Sequence, residues 1–168
     1  NLDINLLEKK LFLAKKRKSL PKVVIPVHFS GYPCDMEKIY ELSKKFSFKI
    51  IEDASHAIGS KHYNEKVGSC KWSDITVFSF HPTKIITTGE GGISTTNDIK
   101  LARKMKLYRT NGITKNSKLF LNRGKLKPWY YEHQTSGFNY RMNDISAVLG
   151  ISQLRRINKF INRRNLIA

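Results

Sequence analysis

Residues 22–54 carry the pattern that most restricts this chain. A β-branched run, Lys22-Val23-Val24-Ile25-Pro26-Val27-His28, leads into a turn containing Gly31 and Pro33. Residues 36–46, MEKIYELSKKF, follow with Ile39, Leu42 and Phe46 at helical spacing, and Asp35 stands where an N-cap belongs. A second apolar run, Lys49 to Ala54, comes at once. Strand, helix, strand with short links makes a βαβ unit, which requires parallel strands. Pro26 counts against a regular central strand, because it cannot donate to a ladder. The expected fold class is α/β. Ligands of such sheets gather beyond the carboxyl ends of the strands. Asp53 occupies one such end, and His56 follows three residues later.

The second strand end belongs to residues 74–94, DITVFSFHPTKIITTGEGGIS. Ile75 to Phe80 alternates like a strand, then passes through Pro82 to Lys84 and on to Gly89-Glu90-Gly91-Gly92. Glycines this dense suit a backbone that turns sharply or lies close to a ligand. A lysine between a buried strand and such a loop can lose its proton through desolvation and attack a carbonyl, although most lysines are simply solvated. Asp53 and Lys84 together place an acid and an amine at a common crevice. That pair suits pyridoxal phosphate chemistry: the amine holds the aldehyde and the carboxylate keeps the pyridine nitrogen protonated. Ser79, five residues before Lys84, can donate to a phosphate. An aspartate at a strand end is also an ordinary cap or turn residue.

The remaining segments complete the pattern. Residues 4–18 predict an amphipathic helix with Ile4, Leu7, Leu11, Leu13 and Ala14 on one face, closed by Pro21. Residues 60–72 predict a polar hairpin turning near Asn64-Glu65, and residues 92–96 a further strand. Asn97 or Asp98 caps a helix carrying Leu101, Met105 and Leu107. Residues 111–137 read as a basic loop with the aromatic run Trp129-Tyr130-Tyr131. Asn143 or Asp144 opens one long final helix, with Ile145, Val148, Leu149, Leu154, Ile157 and Ile161 at buried positions.

Composition narrows the classes of function. A chain of 168 residues with 40 % hydrophobic content is not disordered. No apolar run approaches the roughly 18–20 residues of a membrane span. Without a signal pattern, a cytoplasmic location is expected, and Cys34 and Cys70 are expected as free thiols. No His, Cys and carboxylate spacing predicts a metal site. The formal net charge of +18 nominates an anionic partner, whether nucleic acid, membrane surface or phosphorylated substrate. The basic residues are spread over the first helix, the 115–127 segment and the last helix, so a basic nucleic-acid-binding module stays open as a rival reading. The abrupt opening at Asn1 and the end inside a helical pattern predict a piece of a longer protein.

IIEDASHAIG, then DITVFSFHPTKIITTGEGG, then GFNYRMNDISAVLGISQL resemble, in order, core motifs of the sugar-nucleotide aminotransferases of the DegT/DnrJ/EryC1/StrS family. The likeness covers essentially residues 20–168, and the wording around residues 26–45 and 78–92 is most similar to transaminases of pseudaminic acid synthesis. The resemblance implies the central part of the fold-type-I large domain, a mostly parallel sheet flanked by helices with residues 92–96 antiparallel. It implies that residues 1–168 are a partial large domain, with a cofactor-phosphate loop upstream of Asn1 and a small C-terminal domain beyond Ala168, so that this piece alone is inactive.

The resemblance also implies roles. Lys84 matches the Schiff-base lysine that moves the substrate proton, Asp53 the partner of the pyridine nitrogen, and Ser79 the hydroxyl on the cofactor phosphate. His56 falls where relatives place a polar group beside the ring, or it is a structural histidine. Asn139 matches an asparagine that reaches the neighbouring subunit's cofactor, which implies a homodimer with shared active sites. A lysine at position 84, where some relatives carry histidine and act as dehydratases, favours transamination. The implied substrates are an amino donor, L-glutamate, and the C4 ketone of a UDP-linked 4-keto-6-deoxy-N-acetylhexosamine or of another nucleotide-linked keto sugar. On this reading neither nucleic acid nor membrane is a partner.

Overall fold

A computed structural model describes residues 1–121 and 127–168. In chain order the elements are α1 (Ile4–Lys16), β1 (Val23–Val24), α2 (Met36–Phe46), β2 (Lys49–Asp53), β3 (Lys61–His62), β4 (Glu65–Lys66), β5 (Ile75–Ser79) and β6 (Gly92–Thr95). They continue through α3 (Ile99–Arg109), β7 (Ile113–Thr114), β8 (Glu132–His133), α4 (Asp144–Leu154) and α5 (Ile157–Ile167). The chain forms two units, residues 1–97 with 144–168, and residues 98–143.

The first unit is built on a four-stranded sheet of order β1-β2-β5-β6. β1 pairs parallel with β2, β2 parallel with β5, and β6 antiparallel with β5. Pro26 explains why β1 is short. It ends the regular ladder after Val24, on the strand at one end of that order, and pairing resumes as a single bridge between Val27 and Asp53. Helix α2 forms as its sequence predicts. The Asp35 carboxylate caps it by accepting from the Lys38 amide at 3.4 Å, and Met36, Ile39, Leu42 and Phe46 are buried. With Leu11, Cys34, Phe48 and Ile50 they form the main core cluster. The 60–72 segment is a hairpin, β3 against β4, with Tyr63 at positive φ in its turn.

Three sequence expectations about the first unit need correction. Leu13 is 53 % exposed, because it lies two residues past Leu11 and so on the far side of α1. The long final helix is two helices. The Arg156 amide bonds to Gln153, three residues back, and interrupts the regular ladder between α4 and α5. The apolar face assigned to that helix is largely open: Ile145, Val148, Leu149 and Leu154 are exposed, while Ile157 and Ile161 are half-buried. Ile161 packs where Gly59 leaves room, since a Cβ on Gly59 would lie 2.2 Å from its Cδ1.

The second unit is α3 with the β7–β8 ladder. Asp98, not Asn97, caps α3, accepting from the Lys100 and Leu101 amides. Leu101, Met105 and Leu107 are half-buried. The stretch read as a loop over 111–137 therefore contains paired strands, which two-residue lengths hide from any periodicity. Its basic segment 115–127 falls partly on residues 122–126, outside the described residues.

Candidate functional site

The sheet of the first unit has two unlike faces. Along β2 and β5 the side chains alternate, so Ile50, Glu52, Thr76 and Phe78 are buried and Ile51, Asp53, Val77 and Ser79 are half-buried on the other face. The register Asp53 to Val77 places Asp53 and Ser79 on that same half-buried face at the carboxyl ends of neighbouring parallel strands. The Asp53 backbone is held on both sides: its amide donates to Pro26 O at 2.9 Å and its carbonyl accepts from the His28 amide at 3.0 Å.

The Asp53 carboxylate accepts from the Ser55 amide at 3.1 Å. Burial works to raise its pKa, but the hydrogen bonds with Ser55 and the attraction of His56 and Lys84 together outweigh burial, and the carboxyl is held below the usual range. Asp53 is thus an anion within electrostatic reach of both. His56 is exposed, yet its ring is oriented, since Nδ1 accepts from the Ser30 amide at 3.3 Å. Gly31 makes that approach possible. Its φ is +82° and a Cβ there would lie 2.8 Å from the His56 carbonyl oxygen.

Lys84 is half-buried in the turn after β5, its amide donating to His81 O at 3.0 Å. Among the described residues it enters no ion pair. Ser79 Oγ accepts from the His81 amide at 3.3 Å, and so orients the start of the same turn.

A cavity of about 620 Å³ opens beside this turn. His56 and Lys84 line it, together with Tyr32, Thr83, Lys61 and Arg164; no carboxylate side chain does among the described residues. Asp53 and Ser79 are not among its lining residues, so the structure brings the four positions to one sheet end without placing all four on one wall. Asn139 belongs to the second unit, where it bridges Thr110 and is exposed. The basic side chains Lys61 and Arg164 were not foreseen, because an isolated lysine or arginine carries no pattern. Glu52, Thr76 and His28 were also missed, although a glutamate and a threonine at the inward positions of strands break the apolar alternation and mark themselves.

No group of described His, Cys, Asp and Glu side chains has the arrangement of a metal site, and no helix of the described residues is long and apolar enough to cross a membrane.

Comparisons with known proteins bear on the family. The chain is 38 % identical over 168 residues to the UDP-4-amino-4,6-dideoxy-N-acetyl-beta-L-altrosamine transaminase of Campylobacter jejuni, covering 99 % of this chain and 41 % of that protein. It is 40 % identical over 146 residues to the GDP-perosamine synthase of Caulobacter vibrioides, covering 87 % of this chain and 36 % of that one. Among solved structures, Helicobacter pylori PseC, an aminotransferase involved in the biosynthesis of pseudoaminic acid, superposes with a TM-score of 0.80 at 36 % identity, covering 94 % of this chain and 38 % of that one. Streptococcus pneumoniae Spr1654 in its PLP form gives 0.75 at 28 % identity, with 99 % and 43 % covered. The chain thus spans about two fifths of the length of the relatives it matches. The profile of the DegT/DnrJ/EryC1/StrS aminotransferase family matches residues 1–168, and the chain belongs to that family.

Proposed function

We propose that this chain is the central part of the large domain of a pyridoxal-phosphate-dependent sugar-nucleotide aminotransferase. The observation that carries the reading is a held anion, Asp53, at a parallel strand end, with the amine of Lys84, in no ion pair among the described residues, within its electrostatic reach. The donor set fits the cofactor: a carboxylate kept ionised for a protonated ring nitrogen, an amine for an aldehyde, a hydroxyl for a phosphate and an imidazole for a ring face. When bound, pyridoxal phosphate supplies an electron sink that lets the carbon bearing the transferred nitrogen ionise.

The chain's own residues have distinct work. Asp53 would keep the proton on the ring nitrogen, because its carboxyl stays ionised. Lys84 would hold the aldehyde and would move the proton at the substrate carbon. Ser79 would donate to the phosphate, and His56, oriented by Ser30, would meet the ring. Asn139 serves the cofactor of a second copy, so the working form is a homodimer. The reaction passes the amino group of L-glutamate to the C4 ketone of a UDP-linked 4-keto-6-deoxy-N-acetylhexosamine, in the cytoplasm. The cavity lined by Lys61, Lys84 and Arg164 supports an anionic substrate such as a nucleotide diphosphate.

Likeness to a GDP-perosamine synthase supports a second reading, in which the sugar is GDP-linked. The test uses the full-length protein, pyridoxal phosphate, L-glutamate and a panel of UDP- and GDP-linked 4-keto sugars. The expected result is a visible cofactor band, lost in Lys84→Ala, and turnover of the UDP-linked hexosamine. Turnover of the GDP sugars alone selects the second reading. Absence of any cofactor band, with salt-sensitive binding to arbitrary duplex DNA, overturns both in favour of a basic nucleic-acid-binding module.

A further inference from the structure

Directly behind Asp53, on the opposite face of the sheet, lies a buried polar assembly that none of the assigned roles uses. His28, Glu52 and Thr76 are 0, 5 and 0 % exposed. His28 Nε2 and Glu52 Oε2 are 2.8 Å apart. The other Glu52 oxygen accepts from Thr76 Oγ1 at 2.9 Å and from Ser73 Oγ. On the far side of the ring, His28 Nδ1 accepts from the Cys34 amide at 3.2 Å. Every polar atom of the assembly therefore has a partner.

Such an arrangement is a poor way to gain stability alone, because well-packed apolar residues of the same volume serve as well or better than a buried ion pair. What it adds is geometry. His28 comes from the segment after β1, Glu52 from β2, Ser73 and Thr76 from the approach to and body of β5. These are the three chain segments whose backbone ladder fixes Asp53. The His28 amide donates to the Asp53 carbonyl, the Asp53 amide to Pro26 O, and the Ala54 amide to Val77 O at 2.8 Å. Main-chain bonds set the ladder, and the side-chain assembly locks its register from behind. A slip of one residue would put Asp53 into the core and Glu52 into the site.

We infer that His28 and Glu52 are positioning residues, which hold the Asp53 carboxylate at the place where the cofactor's ring nitrogen must meet it. This rests on the pyridoxal phosphate reading above.

The experiment takes the full-length protein and compares Glu52→Gln, Asp53→Asn and the double variant. Deuterium exchange of residues 51–55 is followed without cofactor, and pyridoxal phosphate affinity is followed by its visible absorbance. Glu52→Gln is expected to speed exchange at the Asp53 and Ala54 amides and to weaken pyridoxal phosphate about tenfold, whereas in the Asp53→Asn background it should weaken it less than about twofold, the non-additivity of residues acting through one another. Thr76→Val removes one donor and keeps the carboxylate. It gives the same pattern at about threefold should Glu52→Gln fail to fold. An undiminished loss in the Asp53→Asn background, or unchanged exchange and affinity in both variants, overturns the positioning role. Wild-type protein that binds no pyridoxal phosphate overturns the proposed function and this inference together.

Discussion

Glu52 and Asp53 are neighbours in sequence and opposites in surroundings. Glu52 faces the core, 5 % exposed, with His28, Ser73 and Thr76 around it. Asp53 faces the half-open side, with the Ser55 amide as its hydrogen-bond donor. Both carboxyls are held below their ordinary range. In each case burial opposes the shift and hydrogen bonds outweigh it. The difference is what remains unspent. Glu52 meets three side chains inside the protein, whereas Asp53, on the half-open face, keeps more of its acceptor capacity for a ligand. A charge that is fully satisfied is structural, and one left partly available at a strand end is suited to chemistry.

The sharpest way to break this contrast is to delete each carboxylate. Glu52→Ala leaves His28 buried without its partner and should cost about 3–5 kcal/mol of unfolding free energy in the full-length protein. Asp53→Ala should cost no more than about 1 kcal/mol by the same denaturant measurement, while turnover falls at least about a hundredfold, roughly 3 kcal/mol of transition-state stabilisation. Similar stability losses in the two variants would erase the distinction.

Acidity gives a second separation. Glu52 and Asp53 have depressed folded-state pKa values, so their stabilisation is present above their unfolded values, 4.5 and 3.8, and is lost as the pH falls through the folded ones. Stability should therefore decline on acidification below about 4.5, and Glu52→Gln should flatten that decline. His28 behaves in the opposite sense. Burial lowers its pKa, but hydrogen bonds with Cys34 and Glu52 reverse this and raise it to about 9. Of these partners the Glu52 carboxylate, 2.8 Å from Nε2, favours the charged ring. The contribution of His28 is complete below 6.5 and withdrawn as the pH rises to about 9, which chemical denaturation at a series of pH values would read; a His28→Gln variant should lose this alkaline limb.

The smallest expected effect lies away from both carboxylates. Asp35→Ala removes the cap of α2 and should cost about 1 kcal/mol by denaturation, with cofactor affinity unchanged.

Local pattern was sufficient where one segment could satisfy itself. The 3.6-residue spacing of Ile39, Leu42 and Phe46, with Asp35 in front, determines α2, and the paired apolar runs determine the parallel crossover. Asp53, Ser79 and Lys84 could be nominated from sequence because strand ends and a glycine-rich loop are local features, and the family motifs around them are continuous in sequence. Other properties depend on segments far apart in the chain. The two-residue strands β7 and β8 exist only as each other's partners, so no period announces them. The break between α4 and α5 follows from one amide choosing Gln153, and the openness of Ile145 and Val148 from what the rest of the fold leaves uncovered. Above all, IIEDA holds two adjacent acids, of which sequence nominated Asp53 and gave Glu52 no role. Tertiary structure separated them, because the pleat turns successive side chains to opposite faces and only one face received His28, Ser73 and Thr76.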